Sequence, residues 1–122
     1  MCAAKFWDLA GAAKQYPKKA YQLDPAVPLP SRYRLHQNFP NPFNPATTLR
    51  YEVPTESHVV ISIYNLLGQE VVTLVNEKKV AGYYQVTWNG RDDGGRQVSS
   101  GIYFALMRGE GFRKHKKLLL VR

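Results

Sequence analysis

A single cysteine, Cys2, leaves this chain without an internal disulfide and without a cysteine-based zinc site. No apolar run approaches the ~18 residues that a membrane-spanning helix needs. The N-terminal stretch carries Lys5, Asp8, Lys14 and Lys18 with no unbroken apolar core, so it does not read as a signal peptide. Proline is missing beyond Pro54, and all eight prolines fall between Pro17 and Pro54. Acidic residues are scarce, nine against 17 Lys and Arg, which gives a formal charge of +8. The surplus gathers at 108–122, where Arg108, Arg113, Lys114, Lys116, Lys117 and Arg122 stand against Glu110. Such a segment can face phosphate, an acidic lipid surface or an acidic protein. Its plainer reading is an edge strand whose lysines keep it from pairing with other chains.

What the sequence does hold is β-prone: eight Tyr, five Phe and two Trp. A chain of 122 residues can bury about 65% of its unfolded surface, enough for one modest core. The proline block divides it into three. Residues 1–16 read as a short amphipathic helix and extension, with Phe6, Leu9, Ala10 and Ala13 at helical spacing. That helix is too short to stand alone, so Phe6, Trp7 and Leu9 are candidates for docking on a partner. Residues 17–34, with Pro25, Pro28 and Pro30, read as a semi-rigid linker.

Residues 35–122 read as the folded domain. Leu49, Tyr51 and Val53 alternate with Thr48, Arg50 and Glu52, giving one buried and one wet strand face. Val59, Ile61 and Ile63 repeat the pattern, a Leu67-Gly68-Gln69 turn follows, and 70–75 returns as a strand. Residues 76–82 read as a polar loop. Tyr84, Val86 and Trp88 mark the next strand, RDDGGRQ a turn-rich loop, and 102–108 and 112–121 two further strands around Gly109-Glu110-Gly111. With a short strand at 33–37 this makes about seven, joined by turns at roughly 8–12-residue spacing. The expected fold is all-β, an Ig-like antiparallel sandwich. Just before it, Pro40, Pro42 and Pro45 interleave with Asn38, Asn41 and Asn44, a preset corner in which Phe39 and Phe43 should tuck against the core.

Catalytic chemistry is not in evidence. The glycine spacing from Gly90 to Gly95 echoes a P-loop, but Arg96 and Gln97 replace its Lys and Ser/Thr, and no helix follows. Asn89, Arg91, Asp93 and Gly94 echo a calcium loop with a cation where a ligand oxygen belongs. His36, His58 and His115 lack metal-ligand pairing, and Ser57-His58 would point to opposite faces of a strand. Asp92 and Asp93 lie in a wet turn that would raise neither pKa. The chain is therefore expected to be no enzyme, with no catalytic, cofactor or metal residues. Nucleic acid is a weak expectation as well, since alternation should bury some of Tyr103, Phe104 and Phe112 rather than offer a stacking platform.

The segments FPNPFNPATTLRYEVP, VVISIYNLLGQEVVTLV, AGYYQVTWNGRDDGGRQVSSGIYFALM and KKLLLVR, taken in order, resemble the C-terminal sorting domain (type A) of type IX secretion cargo. They are equally similar to the related Ig-like domain of flagellar hook-capping proteins. The resemblance covers about residues 35–122. It implies a non-catalytic delivery module, read by an outer-membrane translocon in the periplasm and processed by a sortase-like peptidase at the cell surface. Asn41, Pro42, Phe43, Asn44, Pro45, Gly68, Trp88, Gly90, Gly95, Gly101 and Tyr103 match family motif positions. Lys116, Lys117, Leu118, Leu119, Leu120, Val121 and Arg122 match the segment that would be recognised. The alternative is a structural or accessory subunit of a larger assembly, docked through the N-terminal helix.

Overall fold

The computed structural model describes residues 28–122. The expected helix, Cys2 and the docking candidates Phe6, Trp7 and Leu9 lie outside the described residues, as does the linker up to residue 27.

Among the described residues, seven antiparallel strands form two sheets: β1 (Arg34–Leu35), β2 (Thr47–Val53), β3 (Ser57–Asn65), β4 (Glu70–Lys79), β5 (Gly82–Trp88), β6 (Gly101–Gly109) and β7 (Phe112–Leu120). The smaller sheet has the order β1-β2-β5 and the larger β4-β3-β6-β7, so β4 and β7 are the edges of the larger one. The two inner faces bury what the alternation predicts. Leu49, Tyr51 and Val53 of β2 and Tyr84, Val86 and Trp88 of β5 meet Val59, Ile61, Ile63, Ala105, Met107, Leu118 and Leu120 of the opposite sheet. This is the Ig-like sandwich that the sequence indicates.

Two tyrosines brace the core in a manner that resembles the tyrosine corner of such folds. The Tyr84 hydroxyl donates to the Val80 carbonyl at 2.7 Å and the Tyr103 hydroxyl to the Ser99 carbonyl at 2.7 Å, each four residues upstream. Near the β4–β5 crossover, Tyr84 stacks on Tyr51 with centroids 5.3 Å apart, and the Lys79 ammonium lies 4.9 Å from the Tyr84 centroid.

Residues 76–79, expected as loop, are strand. Asn76, Glu77, Lys78 and Lys79 continue the ladder opposite Val60, Val59, His58 and Ser57. Their polarity reflects a sheet edge, where one strand side and one face remain wet, and not a break in pairing. Phe39 also departs from expectation. It bridges Thr48 through its backbone while its ring stays 72% exposed. Phe43 alone enters the core, at 2%. From Pro28 the chain already lies against the sandwich: Pro30 is buried, and the Tyr83 hydroxyl donates to the Pro28 carbonyl at 3.0 Å.

Burial, followed by the neighbouring Tyr84, pushes the Tyr51 hydroxyl well above the ordinary tyrosine pKa. The folded state therefore keeps a proton that the unfolded chain loses, so this contribution is complete below about pH 10 and declines as the pH rises further. Thermal melts from about pH 8 to about pH 11 should show Tm falling less steeply for Tyr51→Phe than for the parent. Parallel curves would remove Tyr51 from the alkaline limb.

Candidate functional site: a clasp on the last strand

The proline-rich corner and β7 meet although about 80 residues separate them. On β7, Leu119 turns both backbone groups away from β6. Its N–H donates to the Asn41 side-chain oxygen at 3.0 Å, and its carbonyl accepts from the Phe43 N–H at 3.0 Å. The Val121 N–H returns a bond to the Phe43 carbonyl at 3.0 Å, making a short parallel bridge. One turn earlier, the Gln37 side-chain amide donates to the Lys117 carbonyl at 2.8 Å. The corner thus occupies the β7 edge from Lys117 to Val121.

The corner is held in its own shape by asparagine. The buried Asn38 amide donates to the Pro40 carbonyl at 3.1 Å and to the Thr47 hydroxyl at 2.9 Å, and that hydroxyl donates to the Pro40 carbonyl at 2.8 Å. The Phe39-Pro40, Asn41-Pro42 and Asn44-Pro45 peptide bonds are cis. Inside, the Phe43 ring tilts against Trp88 at 5.5 Å, and Tyr103 meets Trp88 edge-on at 5.3 Å. The Trp88 indole N–H donates to the Arg91 carbonyl at 2.9 Å, which ties the following loop to the core.

Arg122 completes the clasp. Its guanidinium donates to the Gly90 carbonyl at 2.5 Å and to the Val98 carbonyl at 2.6 Å, and its N–H donates to the Ser100 hydroxyl at 2.9 Å. Gly90 has φ 74°, and a Cβ there would lie 2.9 Å from the Pro45 carbonyl oxygen. Close approach and backbone conformation both demand glycine at that position.

Most motif positions therefore converge on one construction. Asn41, Phe43, Pro45, Trp88, Gly90 and Tyr103 build or back the clasp, with Pro42 and Asn44 between its members. Gly68 sits apart in the β3–β4 turn, where φ 82° follows a turn capped by the Asn65 side chain. Gly95 turns the 91–97 loop and Gly101 opens β6. Gln37 and Ser100 contribute bonds that no local pattern announces.

The recognition candidates divide. Leu118 and Leu120 are fully buried core, and Arg122 is engaged in the clasp. Lys117 is exposed, Leu119 and Val121 show 38% and 48% of their surface, and Lys116 is half-buried. What a partner can read on this segment is thus the alternate row Lys117, Leu119 and Val121.

The Asp-rich loop carries a different electrostatic signature. The Arg96 N–H, then the Arg96 side chain and the Gly94 N–H, hold the Asp92 carboxyl below the usual carboxylate range. These bonds occupy Asp92 as a turn-former. Among the described residues no group of three or more His, Cys, Asp or Glu is placed to hold a metal ion, and no helix is long and apolar enough to cross a membrane.

The family model of the FlgD Ig-like domain matches residues 44–109, just over half of the chain. The chain belongs to the FlgD Ig-like domain family. Among solved structures, this FlgD-type domain is similar to part of latent dimeric PorU from Porphyromonas gingivalis, at 23% identity, TM-score 0.54, and 69% of this chain against 9% of that one. It is similar to part of PorZ from the same organism at 18% identity, TM-score 0.51, and 74% against 11%. FlgD from P. aeruginosa gives 21% identity, TM-score 0.49, and 61% against 58%. The likeness to PorU and PorZ is one of fold and covers a small fraction of each protein. No curated protein matches the chain.

Proposed function

We propose that this FlgD-type domain is a non-catalytic sorting and anchoring module that directs a passenger through type IX secretion to the cell surface. The observation that carries the reading is the clasp. It fixes the backbone of 117–121 in one conformation while leaving Lys117, Leu119 and Val121 facing outward, so a receptor meets a preorganised epitope and spends little on ordering it. The similarity to PorZ, described as an essential bacterial surface component of the type IX secretion system, supports the same setting. The partners would be an outer-membrane translocon and a sortase-like peptidase, and the destination the outer-membrane surface after periplasmic transit.

The family match also favours a second reading, an accessory or structural module within a larger assembly, with Phe6, Trp7 and Leu9 as docking residues. One experiment separates the two. The whole chain is fused after an exported reporter in a host with type IX secretion, beside a variant carrying Lys117→Ser, Leu119→Ser and Val121→Ser. Sorting predicts surface reporter with the parent and periplasmic reporter with the variant. A reporter that stays periplasmic with the intact chain overturns it.

A further inference from the structure

The clasp leaves the first half of β7 uncovered. In the β6–β7 ladder, Arg113, His115, Lys117 and Leu119 sit opposite Arg108, Leu106, Phe104 and Ile102. Alternate residues of an antiparallel strand turn their backbone groups to the same side. Because Leu119 points both groups away from β6, Arg113 and His115 do so too. Among the described residues nothing bonds to those outward groups. The edge is therefore open over 113–116 and closed from Lys117 onward.

Beside this open edge lies a groove of 430 Å³ between β7 and the stretch around β1, lined by Arg32, Arg34, Lys114 and Lys116 with no acidic side chain. Tyr33 sets its floor, stacked on Phe112 at 3.7 Å and donating its hydroxyl to Ser57 at 2.9 Å. Arg32, Arg34 and Lys114 are exposed, and among the described residues none of the four cations is in an ion pair. Lys114 and Lys116 alternate with the outward-bonding Arg113 and His115, the spacing at which an added strand would present every second side chain.

We propose that the open edge of β7 over 113–116, with the cationic groove beside it, takes an acidic extended peptide as an added strand. The unsatisfied N–H and carbonyl groups of Arg113 and His115 supply the ladder, and Arg32, Arg34, Lys114 and Lys116 select alternate Glu or Asp side chains. A second copy of this chain is a poor occupant, because pairing β7 with β7 sets lysines against lysines. A purely phosphate-bearing ligand would use the cations and leave the backbone groups idle. The site is separate from the row Lys117, Leu119 and Val121, so it stands or falls independently of the sorting reading.

The full chain, labelled with nitrogen-15, is titrated with a short peptide alternating Glu with Val, with its Lys counterpart, and with inorganic polyphosphate. The Glu peptide should bind and slow hydrogen exchange at the Arg113 and His115 amides, which face outward, while the Lys114 amide, bonded toward β6, stays unchanged. Lys114→Glu with Lys116→Glu should weaken binding by roughly tenfold or more. His115→Pro, which keeps the groove cations and removes one outward N–H at an edge where proline is tolerated, should weaken it as well. Unchanged shifts in β2 and β5 verify that each variant is folded. Equal binding of the Lys peptide, binding without protection at Arg113 and His115, or polyphosphate binding that matches the peptide and survives His115→Pro overturns the proposal.

Discussion

Deleting residues 118–122 should abolish the fold, not merely the signal it carries. Leu118 and Leu120 are completely buried, and removing a leucine side chain from such a site costs roughly 2–5 kcal/mol each. The bonds from Asn41, Phe43, Gly90 and Ser100 go with them, each worth about 1 kcal/mol net. A domain of this size has only about 5–15 kcal/mol in total. Circular dichroism and urea titration of the truncated chain should therefore show a largely unfolded protein. The triple variant Lys117→Ser, Leu119→Ser, Val121→Ser keeps every backbone bond and every buried leucine, and should lose no more than about 1.5 kcal/mol, at about 0.5 per surface site. A truncation that fails to export is thus uninformative about recognition, whereas a folded triple variant that fails is informative. Cooperative unfolding of the truncated chain near the parent midpoint would show that the clasp contributes little to stability.

Trp88→Ala should be the most damaging single substitution. Trp88 is fully buried against Phe43 and Tyr103 and anchors the 91–97 loop through its indole N–H. Loss of a buried Trp costs roughly 3–5 kcal/mol, which in a domain this small lowers Tm by at least about 12 °C. A local consequence distinguishes this from generic core loss. With Phe43 unsupported, the Leu119 and Val121 amides should exchange faster relative to those of β3. Trp88→Phe retains an aromatic wall and gives up mainly the bond to Arg91, about 1 kcal/mol. Equal protection of Leu119 and Val121 in parent and alanine variant would uncouple Trp88 from the clasp.

The strands were legible where one face is buried and the other wet, since the period of two in Leu49, Tyr51 and Val53, or in Tyr84, Val86 and Trp88, records the pleat directly. Residues 76–79 were not, because an edge strand beside solvent carries loop-like polarity while its backbone pairs normally. Phe39 and Phe43 show the limit of reading aromatics as core. Both sit in the same proline-rich corner, yet only the one beside Trp88 finds a cavity to fill. In the candidate site, the motif residues were visible one by one. Their convergence was not, since a bond from Asn41 to Leu119 leaves no periodic trace in the chain between them. For the same reason Leu118 and Leu120 could not be told from Leu119 and Val121 within a single apolar run.

The clasp also imposes an order in time. Gln37, Asn41 and Phe43 are made well before their partners, which lie at Lys117, Leu119 and Val121, and Gly90 before Arg122. A chain that leaves the ribosome N-terminus first holds the corner open until residue 122 has cleared the exit. Closing it demands contacts 78 and 80 residues apart in sequence, the kind that form slowly. A polypeptide bearing this module therefore stays unlocked until β7 and Arg122 have been made, and the locked state reports that β7 is complete.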